Sequence, residues 1–195
     1  KFFIEKKNIN KVTSFDNSFV NKTFHDHLYL EGHFESQKYF INHADEIRKQ
    51  FQFINYHEFQ NNPFYNEICS SNSVSVCIRQ NRFNEGRGKN NLVNTNKSSK
   101  YSLEQINYIN KASSIIKSKV PNAKFYLWSN DFSNLKKKNF NFEFTAVDLS
   151  NHDIKFDIRA LNLFLLSNCK HFIVTPSTFN WWGAWLSNNK DKIII

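Results

Sequence analysis

Three short segments of this sequence carry side chains suited to binding a polar ligand, two of them suited to an anion. Arg79-Gln80-Asn81-Arg82 follows an alternating apolar run, Ser129-Asn130-Asp131 follows an aromatic one, and Thr175-Pro176-Ser177-Thr178-Phe179 opens a Trp-rich stretch. A guanidinium fork grips a phosphate through two parallel charge-assisted hydrogen bonds. Small hydroxyls at a helix start add backbone N–H groups and the positive end of the helix dipole. Asp131 can accept from a ribose or a base. Together Arg79, Arg82, Asp131, Ser177, Thr178 and Phe179 spell a nucleotide-diphosphate site.

Taken singly, each signal has a plainer meaning. Arg79 at a strand end can be a surface ion pair, and Ser177 and Thr178 can be helix caps. Trp181, Trp182 and Trp185 suit core packing better than a sugar platform. Cys77 lies on one face of a buried strand and reads as a small core residue. His33 is a surface residue or a ligand. The seven His show no H-x-x-x-H or H-E-x-x-H spacing, so a metal site is not expected. Neither G-x-G-x-x-G nor G-x-x-x-x-G-K-[ST] occurs, which disfavours a Rossmann dehydrogenase and a P-loop kinase.

Positioning these segments requires strands that end together. Ser73–Ile78 alternates Val74, Val76 and Ile78 with smaller residues, which predicts a strand. Phe125–Trp128 predicts the next, Phe144–Val147 a shorter one, and His171–Val174 the last. Between them, Ser102-Leu-Glu-Gln105 is a capping-box pattern that predicts a helix start, with Leu103, Ile106, Ile109, Ile115 and Ile116 as its apolar stripe and a stop before Pro121. A second helix is predicted over about 157–168, and a Trp-rich one ends near Ser187. Residues 84–100 read as a long polar loop. Upstream, a helical stretch is predicted from Ser36, with Tyr39, Phe40, Ile47 and Phe51 on one face. Asn61-Asn62-Pro63 is a turn signal and the candidate subdomain boundary. Alternating strands and helices predict an α/β parallel sheet covered by helices, whose ligands sit at the C-terminal strand ends.

Composition bounds the function. The 195 residues include 40% hydrophobic and 16% aromatic side chains, enough for a sizeable core. No run approaches a membrane span. The net charge of +9 would ordinarily point to an anionic partner. Yet 29 Asn and 21 Phe stand beside only 4 Gly and 3 Pro, the bias that AT-rich codons impose, so part of the charge is drift onto solvated faces. Nucleic acid is not the expected partner. Three Cys without C-x-x-C spacing argue against a disulfide framework and fit a reducing cytoplasm. The chain starts at Lys1, contains no Met and ends on Lys192-Ile-Ile-Ile195, which reads as a strand cut short, so an internal fragment is expected.

In order along the chain, these segments resemble the α-1,2-fucosyltransferases. Tyr29–Phe40 is similar to Y-L-x-G-Y-x-Q-S-x-K-Y-F, and Ser73–Arg79 to V-S-V-H-I-R-R-G-D-Y. Phe125–Asp131 is similar to F-x-x-F-S-D-D. Leu163–His171 and Ser177–Leu186 are similar to L-x-L-M-S-x-C-K-H and S-S-F-S-W-W-G-A-W-L. The resemblance implies a GT-B-like enzyme that transfers fucose from GDP-fucose to a galactoside hydroxyl, with inversion and without a cofactor or metal. Residues 1–68 would be the remnant of an N-terminal acceptor-side domain and 69–195 the Rossmann-type donor domain, with helices on both faces of its sheet. The expected partners are a nucleotide-sugar donor and a glycan acceptor, at the inner face of a membrane. Arg79 becomes the catalytic candidate, because charge grows on the β-phosphate as the sugar departs. No general base stands out among Glu31, Glu85 and Asp131.

The departures fall at the site. Cys77 stands where the family has His, Gln80 where it has Arg, Asn81-Arg82 where it has Gly-Asp, and Asn162 where it has Asp. In related fucosyltransferases that His and that Asp hold the guanosine, so Cys77 and Asn162 would alter base contacts and leave the phosphate clamp in place. Arg82 is the candidate for a second phosphate charge. The alternatives are a transferase of the same fold with another nucleotide sugar, and an inactive sugar-binding homologue.

Overall fold

The computed structural model describes residues 2–5, 14–20, 27–34, 36–84, 94–150 and 155–195. The chain forms two compact units, Lys1–Gln52 and Phe53–Ile195.

In the first unit, β1 (Phe2–Ile4) pairs in parallel with β2 (Tyr29–Glu31). One turn of helix, α1 (Asn17–Val20), stands between them, and two 3₁₀ turns lead into α2 (Ala44–Gln50). The helical stretch predicted from Ser36 is therefore broken. Phe40 is its break point, at φ −141° between the two 3₁₀ turns. Just past β1, Glu5 is 5% exposed and accepts from the backbone N–H groups of His33 (2.8 Å) and Phe34 (3.0 Å) and from the Tyr39 hydroxyl (3.0 Å). Burial pushes its carboxyl up, but those donors outweigh it and hold the group below its ordinary value. Gly32 is needed there, since a Cβ would come 2.9 Å from Glu5 Oε2.

The second unit is a four-stranded parallel sheet in the order β5-β4-β3-β6: β3 (Asn72–Ile78), β4 (Ala123–Ser129), β5 (Phe144–Ala146) and β6 (His171–Ile173). Period-2 alternation sorts the strands onto two buried faces. Val74, Val76, Ile78, Phe125, Leu127 and Ile173 pack under α5 (Thr95–Lys119), against Ile109, Ala112 and Ile116. Cys77, Tyr126, Trp128 and Phe172 face the other way, toward α3 (Tyr56–Gln60), α4 (Pro63–Ser70), α6 (Ile158–Ser167) and α7 (Thr178–Leu186). The parallel sheet with helices on both faces is as expected. Ile193–Ile195 continues it, with Phe172 donating to Ile193 and Val174 to Ile195.

Three boundaries differ from expectation. The units divide after Gln52 rather than after residue 68, because Phe53, Phe59, Phe64 and Tyr65 pack into the core around Phe164. Asn62-Pro63 is accordingly no domain boundary: the Asn62 side chain caps α4 through the Phe64 N–H, and Pro63 occupies the first helical position. Finally, α5 starts at Thr95, with Asn94 capping through the Lys97 N–H. Residues 95–100 are therefore helix rather than polar loop. Ser102 and Gln105 lie inside the helix and are buried, and Leu103 and Ile115, assigned to the apolar stripe, are exposed.

Gly183 sets the fit of α7 on α6. A Cβ there would collide with Leu166, which is fully buried. No helix among the described residues is long and apolar enough to cross a membrane.

Candidate functional site

From β3 the chain winds outward to β4 and β5, then returns to lay β6 on the other side of β3. Such a reversal opens a crevice at the C-terminal strand ends, because the two flanking connections leave in opposite directions. The segment after β3 and the segment after β6 border it. Thr175, 2% exposed, ties them together: its hydroxyl donates to the Cys77 carbonyl (2.8 Å) and accepts from Asn180 Nδ2 (2.7 Å).

The segment after β3 is held residue by residue. The Gln105 amide closes on the Arg79 backbone, accepting from its N–H at 3.0 Å and donating to its carbonyl at 2.9 Å. The Asn130 amide does the same to Gln80, at 2.8 and 3.1 Å. Asn81 adopts φ 54°, a left-handed conformation that Asn tolerates better than most residues, and its Nδ2 donates to Asp131 Oδ2 at 2.9 Å. Farther along, the Phe83 N–H donates to Ser98 Oγ, which donates to Asn84 Oδ1.

Arg79 therefore leaves a fixed backbone at the strand end, with its Nε buried. Arg82 is exposed and sits over the Tyr101 ring, 5.9 Å from its centre. Tyr101 also donates to the Pro176 carbonyl (3.4 Å), just before α7, so one aromatic ring touches both borders of the crevice. Neither Tyr101 nor the two amide clamps was anticipated from the sequence. A polar residue at every third or fourth position of α5 (Ser98, Ser102, Gln105) was the available signal.

At the other border, Ser177 is extended (φ −157°, ψ 130°) and makes no side-chain capping bond. The first intrahelical bond of α7 runs from the Trp181 N–H to the Ser177 carbonyl. The N–H groups of Thr178, Phe179 and Asn180 thus have no partner within the helix and mark its positive end. Ser177 is half-buried and Thr178 exposed, whereas the Phe179 ring packs against the core. Trp185 is buried, with Trp181 stacked on it and Trp182 edge-on to both. Packing is what these rings do here.

Other candidates are placed differently. Asp131 is occupied as a brace: Ser133 Oγ and N–H donate to its Oδ1 at 2.6 and 2.9 Å, and Asn81 donates to its Oδ2. The Ser133 hydrogen bonds lead in holding its carboxyl below the ordinary range. A lowered carboxylate is ionised at neutral pH and a weak proton acceptor, so its geometry suits the loop better than base catalysis. The brace is lost only as pH falls below the usual carboxylate range. The Cys77 side chain belongs to the hydrophobic core, where burial pushes its thiol well up. Asn162 turns its Nδ2 back onto the Ile158 carbonyl of α6 at 3.0 Å. Trp128, the cross-strand neighbour of Cys77, buries its indole N–H without an acceptor among the described residues. Glu31 and His33 are exposed, and Glu85 lies outside the described residues. Among the described residues, no three His, Cys, Asp or Glu side chains gather as metal ligands.

In this parallel α/β unit the basic segment after β3 and the start of α7 both follow the C-terminal ends of neighbouring strands, where open α/β sheets take their ligands. The sequence pattern of glycosyl transferase family 11 matches residues 3–195, and the chain belongs to that family. The resemblance to fucosyltransferases is thereby borne out. The chain is 29% identical over 181 residues to an alpha-1,2-colitosyltransferase of Escherichia coli, an alignment covering 90% of this chain and 57% of that protein. Over 36 residues it is 50% identical to the O-antigen biosynthesis glycosyltransferase WbnK of Escherichia coli, covering 18% of this chain and 12% of that one. The chain spans little more than half the length of the colitosyltransferase.

Proposed function

We propose that the full-length protein is an inverting glycosyltransferase that moves L-fucose, or a close 6-deoxyhexose, from a GDP-sugar to a galactoside hydroxyl through an α-1,2 linkage. What supports this is membership of glycosyl transferase family 11 together with the placement of Arg79 just past β3 and of the α7 start just past β6, two neighbouring strands whose following segments are joined by the Thr175–Cys77 hydrogen bond. Departure of the sugar leaves negative charge on the β-phosphate. The Arg79 guanidinium and the N–H groups at Thr178 and Phe179 take up that charge, and Arg82, steered by Tyr101, adds a second cation. Residues 53–195 form the donor half of a GT-B-like arrangement, and the β1/β2 unit is part of the acceptor half. The name of the WbnK relative supports a surface glycan as product, and assembly of such glycans supports action at the cytoplasmic membrane face.

One observation bears on the nucleotide base rather than on the sugar. Cys77 is sealed in the core and Asn162 is bonded to its own helix, so the base contacts differ from those the family resemblance implies. Colitose is L-fucose without its 3-hydroxyl, and the colitosyltransferase relative makes its GDP-sugar a natural comparison. A donor panel on the full-length protein, read as nucleotide released with a galactoside acceptor, tests both. GDP-fucose or GDP-colitose is expected to exceed UDP-hexoses at least tenfold. A UDP-sugar on top would overturn the GDP assignment, and no release from any donor would overturn transfer itself.

A further inference from the structure

Six positions of α5 at alternating spacings of three and four form one continuous stripe: Ser98, Ser102, Gln105, Ile109, Ala112 and Ile116. All are buried, at 9% exposure or less. Helical geometry puts them on one face. The second half of that stripe is apolar and packs on the sheet, whereas the first half is polar. Burying a polar group is unfavourable unless it is hydrogen-bonded. Here each is bonded, and each has a partner between residues 79 and 84. Gln105 grips both backbone groups of Arg79. Ser102 donates to Gln80 Oε1 at 3.3 Å, and Ser98 joins Phe83 to Asn84. From the β4 side, Asn130 closes on the Gln80 backbone. The polarity change along α5 thus falls where the sheet ends and the loop begins. Turning the chain would need one tight turn, not three side chains from α5 and a fourth from the residue after β4.

We propose that Gln105 is a positioning residue for Arg79, with Asn130 its counterpart at Gln80. By fixing the strand-end backbone, the two amides present the Arg79 guanidinium to a diphosphate at a set place, which spares part of the ordering that binding would otherwise require. This rests on the nucleotide-sugar reading above.

A double-mutant cycle on the full-length protein tests it. Affinities for GDP, UDP and their nucleosides are measured by calorimetry for the wild type, Gln105→Met, Arg79→Ala and the double variant, using whichever diphosphate binds tighter. Methionine keeps the volume and removes both hydrogen bonds. Gln105→Met is expected to weaken the diphosphate roughly tenfold, leave the nucleoside unchanged, and have no further effect once Arg79 is Ala. A tenfold loss that persists in the Arg79→Ala background, or one shared by the nucleoside, would show a merely structural role and overturn the proposal. If Gln105→Met does not fold, the same cycle is run with Asn130→Ala, whose side chain lies outside the core. A wild type that binds neither GDP nor UDP would overturn the nucleotide reading, and this proposal with it. Binding by the wild type with additive losses overturns the positioning role alone.

Discussion

Arg79→Ala in the full-length protein lowers turnover by about 10²–10³-fold, corresponding to about 3–4 kcal/mol of lost transition-state stabilisation, the scale for removing one preorganised donor from a developing anion. The effect is expected in kcat more than in stability. The loop is held through the backbone of residues 79 and 80 by Gln105 and Asn130, and these bonds survive loss of the side chain. Lysine at position 79 restores charge but not the fork, so Arg79→Lys falls between wild type and Arg79→Ala. Steady-state kinetics with thermal unfolding of the same samples checks this. An Arg79→Ala enzyme within threefold of wild-type kcat would remove Arg79 from the chemistry.

The second large effect is structural. Phe164→Ala destabilises the Phe53–Ile195 unit by about 3–5 kcal/mol, the usual range for deleting a buried ring. Phe164 is 1% exposed and meets Phe53, Tyr56, Phe59 and Tyr65 with ring centres 5.2–5.5 Å away. Four rings, two from α3, one from α4 and one from Phe53 three residues before α3, close on this one side chain of α6, so its loss frees both short helices together. Chemical denaturation is expected to show a lower midpoint. A change below about 1 kcal/mol would mean that residues 53–70 are not integral to this unit.

That ring cluster also shows where sequence patterns stop informing. The strands after residue 70 were legible because Val74, Val76 and Ile78 alternate with smaller residues, and Phe125–Trp128 and Phe172–Val174 are the short apolar runs that burial on both faces of a parallel sheet produces. Boundaries were less so. Asn61-Asn62-Pro63 carries the signature of a turn between domains and also that of a capped helix with Pro at its first position, and only the packing of Phe59 and Tyr65 on Phe164 separates the two. Ser102-Leu-Glu-Gln105 matched a capping box because that pattern records residue types and not burial. In the fold Ser102 and Gln105 lie mid-helix and bond a loop more than twenty residues away in sequence. Arg79 and Ser177-Thr178 were legible as strand-end residues, although an ion pair or a helix cap calls for the same residue types. Their supports were not. Gln105, Asn130 and Tyr101 act through tertiary contacts that leave no local periodicity, and Asp131 looked like a ligand group because its partners Ser133 and Asn81 are ordinary polar residues.

A crystal structure of the full-length protein with GDP tests the central claim most directly. The phosphates are expected in the crevice between β3 and β6, within hydrogen-bonding distance of the Arg79 guanidinium and of the backbone N–H groups at Thr178 and Phe179. A nucleotide bound with its phosphates away from both would contradict it.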